Sequence, residues 1–174
     1  GRVHEKLRAY TYLYPPVGVD VYADDPVYSD PQAAAECAVR EVERGFTGVK
    51  FDPAGRYSVY DGRQPALHAM DLSEKMVRAV REAIGDRADI LFGTHGQFTA
   101  SGAIRLAKQL EKYDPLWFEE PCPPDSPDEI AKVAQATSIP ISAGERLTTK
   151  YEFHQLLKTG AASILQPNLG RCGG

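Results

Sequence analysis

Five short apolar runs, each ending in polar residues, constrain the fold of this chain more than any other feature. They occupy residues 49–52, 90–95, 116–121, 139–145 and 164–168. Each run has the length of a buried strand, and segments with helical periodicity separate the runs. Strands that alternate with helices are typical of a parallel sheet. The sequence therefore predicts an α/β fold in which the polar strand ends gather at one edge.

A parallel sheet of this kind either closes into a barrel or stays open as a doubly wound sheet. The open form carries a glycine-rich fingerprint after its first strand, and this sequence has none. A TIM-type (β/α)8 barrel needs about 250 residues, whereas the chain has 174. We therefore predict one domain, residues 1–174, that is an incomplete (β/α)8 barrel with strands one to six. Residue 1 is not Met, and we expect a fragment.

Capping signals and periodicity define the elements of this barrel. Asp30 and Pro31 begin the first helix, and predicted capping boxes open the fourth helix at Ser126 and the fifth at Thr149. A polar stretch at 53–70 is long for a βα connection, and a loop of this length is expected to be functional or disordered. The predicted strands span 6–13, 47–52, 89–92, 116–118, 140–143 and 162–165, and the helices 30–44, 71–84, 99–111, 126–136 and 149–160.

Composition and charge exclude several classes of partner. The chain is 43% hydrophobic, as is ordinary for a globular protein, and its formal net charge is −4. This charge gives no support for binding to nucleic acid or an anionic membrane, which would require a basic face. No apolar run approaches the roughly 18 residues of a membrane span. The three cysteines show no C-x-x-C spacing, which favours free thiols in a reducing compartment. We expect a cytoplasmic protein that acts on a small molecule.

Glu119 and Glu145 each follow an apolar run and are predicted to lie at adjacent strand ends. Two facing carboxylates repel unless a cation or a shared proton lies between them. Oxygen ligands of this kind suit Mg²⁺, so we predict that both glutamates bind this metal. The alternative is that each glutamate pairs with a nearby base such as Arg146 or Lys150. Glu120 is predicted to point to the other face and to be structural.

Lys50 and Asp52 lie two apart on the second predicted strand and therefore share a face. With Val49 and Phe51 packed outward, both polar side chains face the barrel lumen. There they hold a substrate carboxylate, or they form an ion pair and do nothing more. Both alternatives remain open from the sequence.

Three further residues follow predicted strands three and six. His95 is followed by Gly96, which leaves space around the ring, and this favours a general acid over a structural histidine. Gln166 and Asn168 are candidates for binding substrate hydroxyls or for orienting a catalytic group. A structural role is nearly as well supported for this pair.

The segments Trp117-Phe118-Glu119-Glu120-Pro121, Ala143-Gly144-Glu145-Arg146 and Leu165-Gln166-Pro167-Asn168 carry a resemblance that covers essentially the whole chain. They resemble the mandelate racemase/muconate lactonizing enzyme subgroup of the enolase superfamily. Within it, the pattern is most similar to that of galactonate-type acid-sugar dehydratases. The resemblance implies a homo-oligomer with an N-terminal α+β capping domain, which is absent here, and a modified barrel.

The resemblance also implies the chemistry. Mg²⁺, bound by carboxylates after strands three, four and five, stabilises the enediolate that forms when a base removes the α-proton of a sugar acid. Glu119 and Glu145 match the metal ligands, and His95 matches the acid for the departing hydroxyl. Lys50 joins His95 as a candidate catalytic residue, and Asp52, Gln166 and Asn168 are candidate substrate-binding residues. The base, a histidine on strand seven, would lie beyond residue 174.

Three departures from the family pattern bear on this assignment. Gly93 stands where the family has the strand-three carboxylate, and we hypothesise that Asp52 supplies the missing oxygen. Lys50-Phe51-Asp52 replaces a Lys-x-Lys motif, which argues against racemisation by lysine. Asn168 replaces an aspartate that pairs with the strand-seven histidine.

Three functions follow from these residues. A Mg²⁺-dependent dehydratase, which converts a sugar acid to a 2-keto-3-deoxy acid, is the main prediction. A cycloisomerase of a sugar lactone or anhydro-sugar acid would use the same enolate chemistry. A non-catalytic sugar-acid-binding paralogue is the alternative of a different class, motivated by Gly93.

Overall fold

Six parallel strands alternate with five α-helices along the described part of the chain, which also has two short 3-10 helices, Pro26–Tyr28 and Glu111–Tyr113. The structure is a computed structural model that describes residues 3–15, 26–54 and 64–174. The strands are β1 (Thr11–Tyr12), β2 (Gly48–Phe51), β3 (Asp89–Gly93), β4 (Trp117–Glu119), β5 (Ile141–Ala143) and β6 (Ile164–Leu165). The α-helices are α1 (Pro31–Glu43), α2 (Leu67–Ile84), α3 (Ala100–Leu110), α4 (Pro127–Ala136) and α5 (Lys150–Lys158).

The strand order in the sheet is the order in the sequence, β1 to β6, and every described pair is parallel. A doubly wound sheet would reverse direction at a switch point, and the described sheet has no such reversal. The fold is therefore that of a (β/α) barrel, with six of the eight strands that a complete barrel contains. This confirms the predicted fold class.

Side chains alternate between two faces along each strand. Phe51, Phe92 and Phe118 occupy the outer face, where the register pairs Phe51 with Phe92 and Phe92 with Phe118. Their rings meet edge to face at centroid distances of 6.3 and 6.0 Å. These rings are buried in the hydrophobic core that includes apolar side chains of the helices. The prediction that Val49 and Phe51 pack outward is confirmed, since both belong to this core.

Two of the three predicted helix starts have the expected cap. Asp30 accepts a hydrogen bond from the Gln32 backbone N–H at the start of α1, and Thr149 with Glu152 forms a complete capping box at α5. The capping box predicted at Ser126 is wrong. The Ser126 backbone (φ −127°, ψ 72°) supports no side-chain cap, and Glu129 pairs with Lys132 instead.

Two boundaries differ from the prediction. β1 comprises only Thr11–Tyr12, not 6–13, because an edge strand has one partner and only these two residues pair with β2. α2 begins at Leu67, because the segment before 71 is already helical and buries Met70. Half of the predicted loop at 53–70, residues 55–63, lies outside the described residues, and its last part, from Leu67, belongs to α2. No helix in the described ranges is both long and apolar enough to cross a bilayer.

We expect Phe118→Ala to lower the free energy of unfolding by about 3–5 kcal/mol, because it removes a fully buried ring and leaves a cavity. Urea denaturation followed by circular dichroism measures the change. Leu157→Ala, at a site that is 52% exposed, is the control and should stay within about 0.5 kcal/mol of wild type. Equal effects of the two substitutions would contradict the described core.

Candidate active site

A cavity of about 610 Å³ lies at the carboxyl ends of the strands, where barrel enzymes carry their chemistry. Six of the seven predicted site residues line it: Lys50, His95, Glu119, Glu145, Gln166 and Asn168. The seventh, Asp52, is not among the described lining residues. The sheet thus brings together side chains that are up to 118 positions apart in the sequence.

Glu119, the last residue of β4, is the most buried carboxylate of the cavity, with 2% of its surface exposed. Lys50 Nζ lies 2.6 Å from Glu119 Oε2 and forms a buried ion pair. The Gln166 amide donates to the same oxygen at 2.6 Å when its nitrogen faces the carboxylate. Lys50 therefore pairs with Glu119 on β4, and not with Asp52 as the sequence alternative suggested.

Gly93, at the end of β3, lies opposite Glu119 in the register. A Cβ atom at this position would overlap Lys50 Cε and would lie 3.1 Å from Lys50 Cγ and from Tyr12 Cε2. The stem of Lys50 therefore occupies the space that a side chain at position 93 would need. A carboxylate at position 93 is incompatible with the observed position of Lys50.

Glu145 lies just after β5, beyond Gly144, whose φ of 122° forms the turn. The side chain is half-buried, and no described residue is hydrogen-bonded or ion-paired to its carboxylate. Within the described ranges, no three histidine, cysteine or acidic side chains form a group suited to a metal ion. Among the described residues, Glu119 and Glu145 are the two carboxylates that line the cavity.

Asp52, directly after β2, is held by the loop that follows β3. Its Oδ2 accepts a hydrogen bond from Gln97 Nε2 at 2.9 Å, and its Oδ1 accepts from the Ala54 backbone N–H at 2.9 Å. Burial raises the pKa of this carboxyl to about 7, and the two hydrogen bonds only partly oppose the shift. The hypothesis that Asp52 supplies a third metal oxygen stays a prediction, and its two oxygens already have donors.

A second ion pair, between the buried Glu120 and the partly exposed Arg146, holds the backbone of His95. Arg146 donates from Nε and Nη2 to Glu120 Oε2 at 2.9 and 2.8 Å, and Nη2 also donates to the His95 carbonyl at 3.1 Å. The Gly96 backbone N–H donates to the Glu120 carbonyl at 2.7 Å. Arg146 therefore pairs with Glu120 and not with Glu119 or Glu145. The prediction that Glu120 is structural agrees with this contact.

Asn168 follows β6 and is exposed. Its Oδ1 accepts a hydrogen bond from the Arg171 backbone N–H at 3.2 Å, which closes the turn after the strand. Gln166, by contrast, contacts Glu119 directly. The two amides that the sequence treated as a pair therefore have different surroundings.

Four aromatic side chains of the cavity were not predicted as site residues: Tyr10, Tyr12, Tyr14 and Trp117. Tyr12 stacks on Tyr14 at 5.0 Å, and Tyr10 meets Trp117 edge to face at 5.3 Å. Burial and the nearby Asp52 carboxylate raise the pKa of Tyr12. The alternation of tyrosines at positions 10, 12 and 14 was the available signal, since it places all three on one face of a strand.

Fold and site together define a barrel domain of the α/β class, with a carboxylate-rich site at its strand ends. The chain belongs to the family described as enolase C-terminal domain-like, whose model matches residues 32–174.

Three relatives illustrate this membership. D-xylonate dehydratase of Haloferax volcanii is 38% identical over all of this chain and 41% of its own length. D-gluconate dehydratase of Thermoproteus tenax is 37% identical over 83% of this chain and 28% of its own length. The solved structure of a mandelate racemase/muconate lactonizing enzyme-like protein from Roseovarius sp. TM1035 is 52% identical, with a TM-score of 0.92 over all of this chain and 43% of that one. The chain spans less than half the length of each relative.

We expect Arg146→Met to lower the free energy of unfolding by about 3 kcal/mol or more, because Glu120 would stay buried without its partner. Chemical denaturation measures the change. Lys132→Met removes an exposed partner of Glu129 and should alter stability by at most about 1 kcal/mol. Adding Glu120→Gln to Arg146→Met should restore part of the loss. A loss of stability no larger than that of Lys132→Met would contradict the ion pair between Arg146 and the buried Glu120.

Asp52 should make stability fall as the pH rises. Its pKa is about 7 in the folded state, against an ordinary value of 3.8. Between these values the folded protein keeps a proton that the unfolded chain has lost, so folding is progressively disfavoured. Asp52→Asn removes this titration. The stability of wild type relative to the variant should therefore decrease from about pH 4 to about pH 7 and then level off. Urea denaturation at each pH gives the free energy of unfolding of both proteins. A constant difference between wild type and Asp52→Asn across this pH range would contradict the raised pKa of Asp52.

Proposed function

We propose that this chain forms part of an acid-sugar dehydratase, a hydro-lyase that removes water from a sugar acid. The observation that carries the proposal is the single cavity shared by Lys50, His95, Glu119 and Glu145 at the strand ends. The names of the Haloferax and Thermoproteus relatives support an aldonic acid as substrate class. Galactonate belongs to this class as well.

The cavity suits an anionic, hydroxylated ligand. Lys50 supplies a positive charge that is largely shielded from water, with 11% of its side chain exposed, and charge interactions are stronger in such surroundings. Gln166 provides an amide beside it, and the tyrosines provide hydroxyl groups and ring faces. We propose that the substrate carboxylate lies on the Lys50 side and the sugar hydroxyls along the aromatic side chains.

The two glutamates fit Mg²⁺, because this ion is commonly bound by one or two carboxylates and completes its shell with water and substrate oxygens. We propose that Glu119 and Glu145 hold it. Bound there, Mg²⁺ supplies positive charge that favours ionisation of the carbon next to the substrate carboxylate.

His95 is the proposed acid of the reaction. The His95 side chain is exposed and lines the cavity, so the ring can reach a ligand. Its backbone carbonyl accepts a hydrogen bond from Arg146, which fixes the position of the residue. Dehydration transfers the α-proton to a base, for which the family resemblance implies a histidine on strand seven, and breaks the β-carbon C–O bond. His95 would donate a proton to the leaving hydroxyl, which departs as water, and the enol product becomes a 2-keto-3-deoxy acid.

The direct test uses the protein as expressed from its own gene. It is incubated with a panel of aldonic and aldaric acids and their lactones, with Mg²⁺ or with EDTA, and 2-keto acid is assayed. We expect a Mg²⁺-dependent keto product from an open-chain aldonic acid. Reaction of cyclic forms alone would favour a cycloisomerase. Ligand binding without turnover would favour the non-catalytic alternative.

His95→Asn should lower kcat by about 10²- to 10⁴-fold, the usual contribution of a positioned acid, with a smaller change in KM. Steady-state kinetics on the substrate found in the panel measures both constants. His154→Asn is the matched control because His154 is exposed on α5, away from the cavity lining. A kcat within a few-fold of wild type for His95→Asn would remove His95 from the mechanism.

A further inference from the structure

We propose that Lys50 and Gly93 act as a pair. The Lys50 side chain fills the space that a side chain at position 93 would need, and its ammonium group contacts Glu119 where a metal ion would otherwise bind. The inference deepens the proposed function, and its metal-binding part rests on that function. Its steric part rests on the geometry of β2, β3 and β4 alone.

The distance across the sheet from β2 to β4 makes the contact between Lys50 and Glu119 dependent on Gly93. Lys50 lies on β2 and Glu119 on β4, with β3 between them. Neighbouring strands are about 4.8 Å apart, so the two backbones are separated by roughly 10 Å. The lysine stem must therefore pass over β3 to reach Glu119. It passes over Gly93, since the atom nearest to a Cβ placed there is Lys50 Cε.

The contact also occupies the carboxylate. Lys50 Nζ and Glu119 Oε2 are 2.6 Å apart, and both side chains are at least 89% buried. The Gln166 amide contacts both oxygens of the same carboxylate, at 2.6 and 3.3 Å. A cation that binds Glu119 must displace or share these donors. Lys50 therefore competes with a metal ion at Glu119 and, through its stem, keeps a third carboxylate out of position 93.

The steric part is tested by a thermal-denaturation cycle on the protein as expressed from its own gene. Gly93→Ala should lower Tm by about 5 °C in wild type, as expected for one inserted methyl group in a packed site. In a Lys50→Ala background the loss should be at most half as large, because two of the three atoms nearest to the added methyl group belong to the Lys50 side chain.

Gly48→Ala is the matched control for this cycle. Its Cβ would meet Tyr10 and Leu91 and not Lys50, so its Tm shift should be the same in both backgrounds. An equal loss for Gly93→Ala in both backgrounds would overturn the steric pairing of Lys50 with Gly93.

The metal part is tested by Mn²⁺ binding, measured by electron paramagnetic resonance without substrate. Gly93→Asp alone should change the Mn²⁺ affinity by less than about threefold, because Lys50 still blocks the position. Lys50→Ala combined with Gly93→Asp should bind Mn²⁺ at least about tenfold more tightly than Lys50→Ala alone, since a third carboxylate then joins the site. Lys50→Met, which keeps the stem without the charge, should prevent this gain.

The two measurements separate the inference from the proposed function. An equal gain in Mn²⁺ affinity from Gly93→Asp with and without Lys50 would overturn the proposed competition between Lys50 and the metal ion at Glu119. Failure of every variant to bind Mn²⁺ would overturn both the competition and the proposed role of Glu119 and Glu145 in holding Mg²⁺. A coupled Tm cycle would still support the steric pair in that case, because it involves no metal.

Discussion

The alternation of side chains across the parallel strands is the constraint on which both the core and the site depend. Phe51, Phe92 and Phe118 align in register on the outer face and pack in the core with the helices. The same register sends Lys50 and Glu119 to the inner face. A slip of one residue in any strand would exchange the two sets. Hydrophobic packing therefore fixes the positions of the polar groups at the strand ends.

Glu119 and Glu120 show how adjacent residues of one type acquire different roles. Glu119 ends β4 and faces Lys50, whereas the chain turns at Glu120, whose φ of 37° is unusual for a residue with a side chain. The ion pair with Arg146 and the bond from Gly96 N–H to the Glu120 carbonyl hold this conformation. Glu120 thus ties the loop of His95 to the loop after β5, while Glu119 lines the cavity and pairs with Lys50.

Local signals made part of this structure predictable from the sequence. The strand ends and the capping box at Thr149 depend on nearby residues, and the structure agrees with them. The partner of Lys50 could not be predicted, because it depends on which side chain two strands away the stem can reach. The short β1 and the absent cap at Ser126 reflect tertiary pairing and backbone geometry. The roles of the predicted site residues stay predictions, although six of the seven share one cavity.

A glycine at position 93, where the family resemblance implies a carboxylate, would alter the charge that a ligand meets. Three carboxylates with one divalent ion and Lys50 would leave the site without net charge. Glu119 and Glu145 with the same ion are neutral, and Lys50 makes the total positive. Because opposite charges attract strongly in poorly hydrated surroundings, this arrangement favours an anion even where the metal is held less tightly. Under the proposed function, Gly93 lets the lysine reach this place and would thereby affect the preference for an acidic ligand, although it is not among the described lining residues of the cavity.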